Sequence, residues 1–265
     1  MWQPPLREVL TSCLLIEQMK IPDLYLNVDT KHGLGHKMRT WAIAGEYLRR
    51  GGTVHWTWDK FPDEMCVTIF DGYFYTNHDR ERWMSAGHLV VTLDDFERAD
   101  FTTHILVNYN YGISEKLPCF HKPQIPGISV LLLGTKYFPL RDDYRKVISV
   151  DGEKPFDADS ASRQMKPDVF ASKMADCSYV LTSAGGTVYE VMYLRKPMLL
   201  RKANNTQAVT YNNLLRDDLA LVDNTDNREY LGRGYAGKYF SDRMRGLVDG
   251  QGASRIVEEI LHVAR

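Results

Sequence analysis

Leu24-Tyr25-Leu26-Asn27-Val28-Asp29-Thr30-Lys31-His32-Gly33-Leu34-Gly35-His36-Lys37-Met38-Arg39 decides the fold. Five residues at its start read as a buried strand, a glycine turn follows, and Met38 to Arg50 reads as a helix. Met38, Trp41, Ala42 and Leu48 recur at helical spacing with Gly45 on the same face. Gly51-Gly52 ends the helix, and Thr53 to Trp58 is the next strand. A strand, turn, helix and strand in this order form a βαβ unit and imply a parallel sheet.

The same alternation continues on both sides of position 146. Val67–Phe70, Leu89–Leu93, His104–Val107 and Ser129–Leu133 read as strands of a first lobe, 19–146. Thr135 to Lys146 reads as a connection. A second α/β unit, 147–265, starts at Val147-Ile148-Ser149-Val150, and the polar stretch Asp151 to Arg163 reads as loop. Val169–Ala175 is expected as a helix, Tyr179–Thr182 as a strand, Thr187–Leu194 as a helix, Met198–Leu200 as a strand and Ala253–Val263 as a closing helix. Residues 1–18 are expected to be an extension outside the fold.

Bulk numbers narrow the classes of function. A length of 265 residues suits two small lobes. A net charge of -1 offers a polyanion no global attraction, so a nucleic-acid partner is disfavoured. No apolar run approaches the roughly 20 residues needed to span a membrane. Cys13, Cys66, Cys119 and Cys177 lie far apart and are expected as free thiols in a reducing cytoplasm.

Three constellations could carry chemistry. The first is Gly33-Leu34-Gly35-His36 with Arg39, at the handover from strand to helix, where glycines let backbone approach a ligand and helix N–H groups favour an anion. His36 would be the base there, or alternatively only a cap beside a turn. The second is Ser183-Ala184-Gly185-Gly186-Thr187 with Glu190. Its backbone N–H groups and Thr187 suit a diphosphate, and Glu190 suits a ribose diol. Thr187 to Glu190 equally fits a capping box. Asn205 and Gln207, after the following strand, suit sugar hydroxyls or an ordinary loop. The third joins Asp94-Asp95 with Asn108-Tyr109-Asn110-Tyr111-Gly112, also readable as a turn. No metal-ligand spacing supports these acids. Tyr73-Phe74-Tyr75, Trp56 and Trp58 are read as core rather than as a stacking platform.

These elements, in this order, resemble the PseG-like UDP-sugar hydrolases of pseudaminic acid biosynthesis, a branch of the glycosyltransferase-B superfamily. The family's G-x-G-H-x-M-R matches Gly33 to Arg39, and its Asp-Asp and N-x-N-x-G elements match Asp94-Asp95 and Asn108 to Gly112. Leu132-Leu133-Gly134-Thr135-Lys136-Tyr137 with Leu140-Arg141-Asp142-Asp143-Tyr144 matches its interlobe connection, Gly185 to Glu190 its G-G-[ST]-x-x-E, and Asn205 with Gln207 its closing Asn-Gln. The likeness runs from about residue 20 to 215.

It implies a glycosyltransferase-B-like fold of two Rossmann-like lobes facing a cleft. It also implies His36 as catalytic base, Gly33, Gly35, Arg39, Asp95, Asn108 and Asn110 on the substrate side, and Ser183, Gly185, Gly186, Thr187, Glu190, Asn205 and Gln207 on UDP, with no cofactor or metal. The second lobe is contracted against the family between Val147 and Met174. The expected activity is hydrolysis of a UDP-sugar. The alternative is transfer of the sugar to an acceptor hydroxyl, on a small molecule, a glycan or a modified DNA base. A binding module without turnover is the third reading.

Overall fold

The computed structural model describes residues 20–28, 34–56, 62–72, 75–94, 102–113, 130–162, 164–202, 207–234 and 236–265. The expected extension 1–18, the site candidates Gly33, Asp95 and Asn205, and the aromatics Trp58, Tyr73 and Phe74 lie outside the described residues.

The first sheet has six strands: β1 (Leu24–Val28), β2 (Val54–Trp56), β3 (Val67–Asp71), β4 (Leu89–Leu93), β5 (Ile105–Asn108) and β6 (Val130–Leu133). All pair in parallel in the order β2-β1-β3-β4-β5-β6. Strands β3 and β4 are buried at every position, which is why they read as unbroken apolar runs rather than as alternation. Helix α1 (Leu34–Arg49) joins β1 to β2 on one side, and the chain then returns to place β3 on the other side of β1. A parallel sheet opens a crevice at the carboxyl ends of its strands where the order reverses. That point lies between β1 and β3.

The second sheet has four parallel strands in the order β10-β9-β8-β7. They are β7 (Phe156–Asp157), β8 (Val180–Ser183), β9 (Met198–Arg201) and β10 (Leu221–Val222). The chain reaches β7 through a 3-10 turn, Thr135–Tyr137, and α3 (Asp142–Arg145). Helices α4 (Ala158–Ala161), α5 (Pro167–Ala175), α6 (Thr187–Leu194), α7 (Ala208–Arg216), α8 (Thr225–Gly232) and α9 (Gly237–Met244) complete this lobe. Its core is separate from that of the first sheet. Two parallel α/β lobes, the second smaller, are the architecture expected.

Several expectations need correction. Val147–Val150 is not a strand: Ile148 is 82% exposed, and only Val150 N–H reaches back, to the Ala175 carbonyl at 3.1 Å. The second sheet begins instead inside the stretch expected to be loop. There Phe156 is buried against Phe170, and Asp157 caps α4 by accepting from Ser160 N–H at 3.1 Å. The apolar face of α1 is also not the expected one. Thr40, Ile43, Ala44 and Tyr47 face the sheet, whereas Trp41 and Leu48 are exposed. Trp56, expected in the core, is half-exposed.

The last helix, α10 (Gly252–Val263), crosses the expected boundary. Its Ala253, Ile256, Val257 and Ile260 join the core of the first sheet. Gly252 makes the crossing possible, because a Cβ there would stand 2.1 Å from the carbonyl oxygen of Phe138.

Candidate active site

Asp71 ends β3 and is fully buried. An isolated buried carboxylate is unfavourable, so its partners define the site. Arg39 donates to it through Nε, 2.6 Å from Oδ2, and through Nη2 to Oδ1. The Thr40 hydroxyl lies 2.9 Å from Oδ2 and 2.8 Å from the His36 carbonyl. His36 Nδ1 lies 2.7 Å from Oδ1. Burial pushes Asp71 upward, but the Arg39 charge and the hydrogen bonds from Arg39 and His36 outweigh it, holding the carboxyl below its ordinary range.

A carboxylate only accepts, so the tautomer that hydrogen-bonds Asp71 carries its proton on Nδ1. Nε2 is then the basic nitrogen of the ring. Arg39 Nη2, which carries two protons, donates to Oδ1 and also lies 2.7 Å from Nδ1. His36 sits in the first turn of α1, after β1, and Asp71 at the end of β3, so the pair spans the switch point of the sheet. Arg39, expected on substrate, fixes Asp71 and also donates to the Tyr109 hydroxyl.

His36 lines a cavity of about 730 Å³ between the lobes. This is within the usual range for small-molecule sites. The first lobe contributes Gly35, Lys37, Met38, Arg39, Trp41, Tyr109 and Asn110, and the second Gly185, Gly186, Thr187, Glu190 and Gln207. Tyr109, Phe138 and Tyr189 pack together at the seam, with Phe138 and Tyr189 stacked at 4.8 Å. Tyr189 also donates its hydroxyl to Asn110 Oδ1 at 3.3 Å and accepts from Tyr111 N–H at 3.0 Å.

The second-lobe wall departs from one of its two readings. Gly186 is the residue before α6, and no side chain caps that helix. Glu190 does not turn back to form a capping box. Its Oε1 accepts from Arg141 Nε and its Oε2 from the Tyr144 hydroxyl, both at 2.8 Å. Burial drives Glu190 above the ordinary carboxylate range, with Arg141 and Tyr144 pulling against it. The backbone at the start of α6 is thus left to the cavity.

Other predicted residues fall elsewhere. Asn108 is fully buried and away from the cavity, where its Oδ1 accepts from Asn110 N–H at 3.0 Å and shapes the turn. Ser183 does not line the cavity either; its hydroxyl lies 3.2 Å from Asp159 Oδ1. Among the described residues no group of three or more His, Cys, Asp or Glu could hold a metal, and no helix is long and apolar enough to cross a membrane. Asp71, Arg141 and Tyr144 are the residues whose part in the site the motif reading did not assign. The Asp71-Gly72 pair after an apolar run was the available signal for Asp71.

No protein-family model matches the chain, and a search of curated proteins finds no similar sequence. The resemblance to the UDP-sugar hydrolases therefore rests on the five motifs alone. Several solved structures are similar in arrangement, two of them as follows. Spinosyn rhamnosyltransferase SpnG aligns with a TM-score of 0.49 at 10% identity, over 90% of this chain and 100% of that one. Phytolacca americana UGT2, solved with UDP-2fluoro-glucose and pterostilbene, aligns at 0.42 and 10% identity, over 99% of this chain and 90% of that one. At such identity neither carries a residue correspondence, and the cavity must be read on its own chemistry.

Proposed function

We propose that the protein is a nucleotide-sugar-processing enzyme that transfers a sugar to an acceptor hydroxyl, with His36 as general base. The observation that carries this reading is the pairing of His36 with the buried Asp71 on one wall of a cavity. The other wall holds the uncapped start of α6. A diphosphate would bind the backbone N–H groups at Gly185–Thr187, where the helix terminus favours an anion. Glu190 would meet the ribose, already oriented by Arg141 and Tyr144. His36 Nε2 would take the proton of the acceptor hydroxyl. The acceptor oxygen then bonds the anomeric carbon, the bond from that carbon to the phosphate oxygen breaks, and the nucleoside diphosphate leaves. Asp71 would hold the ring and stabilise the imidazolium as it forms.

Transfer is favoured over hydrolysis because apolar side chains, Met38 and Trp41, line the cavity beside His36. Water needs no such wall, whereas an organic acceptor does. Incubating the protein with UDP- and other nucleotide-sugars, with and without acceptor alcohols, tests the reading. Release of nucleotide that needs an acceptor is expected. Equal release without any acceptor would make the enzyme a hydrolase, and no release from any donor would refute both.

A further inference from the structure

His36 is followed at once by Lys37, and one turn later by Trp41 on the same face of α1. Lys37 Nζ rests 4.7 Å from the centre of the Trp41 ring. Trp56, from the edge strand β2, meets that ring edge-on at 6.1 Å and 75°. Both indoles remain about half open to solvent: Trp41 is 45% exposed and Trp56 50%. Tryptophan is highly buried on average, so two neighbouring exposed rings call for an explanation. Trp41 and Lys37 line the same cavity as His36, on the wall opposite the start of α6. The first turn of α1 carries no acid to neutralise Lys37.

The geometry points to an acceptor subsite for a planar aromatic ring that bears a hydroxyl and an anionic substituent. This rests on the transfer reading above and names its second substrate. The ring packs on Trp41, with Trp56 extending the apolar surface, and gains the edge-to-face and stacking geometries aromatic rings favour. The anionic group draws Lys37 Nζ off the indole and pairs with it, exchanging a cation–π contact for an ion pair. The hydroxyl meets His36 Nε2. A sugar acceptor fits this wall poorly. Its several hydroxyls would lie against Met38 and Trp41, which offer them only a weak thioether acceptor and a single indole N–H.

The test compares acceptors within one protein, using a donor that supports turnover. The acceptors are para-hydroxybenzoate, its amide, the saturated-ring analogue of the acid, and a methyl glucoside. For the wild type, kcat/KM for para-hydroxybenzoate should exceed that for the amide by about threefold, the scale of a partly exposed ion pair. It should exceed that for the saturated ring by about tenfold, the scale of an aromatic contact. Lys37→Gln should shrink the first ratio about threefold and Trp41→Leu the second about tenfold, since differences in hydroxyl acidity among the acceptors are the same for every variant. Because each result is a ratio within one protein, a general loss of folding or donor binding does not imitate it. Ratios near one in the wild type, ratios unchanged in the variants, or a preference for the glucoside would overturn the subsite and leave transfer standing. Absence of nucleotide release from every donor would overturn the transfer reading and the subsite together.

Discussion

Replacing Asp71 with asparagine should damage catalysis and stability by separable amounts. The native carboxylate accepts from Arg39 Nε at 2.6 Å, from Arg39 Nη2, from Thr40 at 2.9 Å and from His36 Nδ1 at 2.7 Å. Asparagine keeps the shape but removes the charge, and its NH2 cannot accept from either neighbour. Arg39, itself buried, then loses its counter-charge. Breaking a buried pair in this way costs about 3–5 kcal/mol. At roughly 2–4 °C per kcal/mol for a chain near this size, the melting point should fall by about 6–20 °C. The histidine also loses the acceptor that fixes its tautomer. General-base catalysis contributes about 10²–10⁴-fold, so kcat should fall by that order in protein that is still folded. Thermal melting by circular dichroism measures the first effect. Nucleotide release, assayed well below the lowered melting point, measures the second. Residues that act as one unit are not additive, so Asp71→Asn combined with His36→Ala should be no slower than His36→Ala alone. A folded Asp71→Asn protein within about threefold of wild-type kcat would refute the dyad, and so would losses that multiply in the double variant.

Four further outcomes follow from the same geometry. Gly186→Ala should leave the melting point unchanged, since no atom lies within 4 Å of the added Cβ, yet weaken UDP binding about tenfold by standing between the α6 backbone and the phosphates; calorimetric titration with UDP reads this. Glu190→Gln should raise KM for the nucleotide-sugar more than it lowers kcat, because Glu190 is assigned to binding rather than to the reacting atoms, and steady-state kinetics distinguish the two. Gly252→Ala should lower stability by about 1–3 kcal/mol in denaturant titration, since the methyl meets the Phe138 backbone, which cannot swing aside. Asp71, with its folded pKa below the ordinary 3.8, stabilises the protein above that value and loses the contribution as pH falls through the folded pKa. The stability gap between wild type and Asp71→Asn should therefore be full at neutral pH and close on acidification below about 3.8, as read by denaturant midpoints across pH.

The βαβ start was legible because the apolar run of β1, the glycines that follow it and the helical spacing of α1 are local signals that agree with one another. The buried strands of the first sheet were legible as apolar runs. Helix α2 (Asn77–Ser85) was not, because its sequence is almost wholly polar and its buried side chains include Arg80. Arg80 is held inside by the Tyr75 carbonyl at 3.0 Å and by Thr92 Oγ1 at 3.1 Å, a contact that exists only once β4 is in place. Strand β7 is two residues long, too short to show a period. The face of α1 was misjudged because Trp41 and Leu48 are apolar yet exposed, while Thr40 is polar and buried against Asp71. Glycine motifs and His36 could be found from spacing. Asp71 showed only as the Asp-Gly pair ending an apolar run, since it meets His36 through the register of β1 with β3, and Arg141 and Tyr144 meet Glu190 only through tertiary packing. Local motifs gave the outline of the cavity, and long-range packing determines which carboxylate holds His36.

In the proposed reaction His36 acts as a base on a nucleotide-sugar bound across the cavity. The most direct measurement is nucleotide release at saturating donor and acceptor by the wild type and by His36→Ala, after calorimetry has established that both bind UDP equally. Release by the wild type is expected, with a loss of about 10²–10⁴-fold in the variant and UDP affinity retained. Undiminished release by His36→Ala, or no release by a wild-type protein that binds UDP, would contradict it.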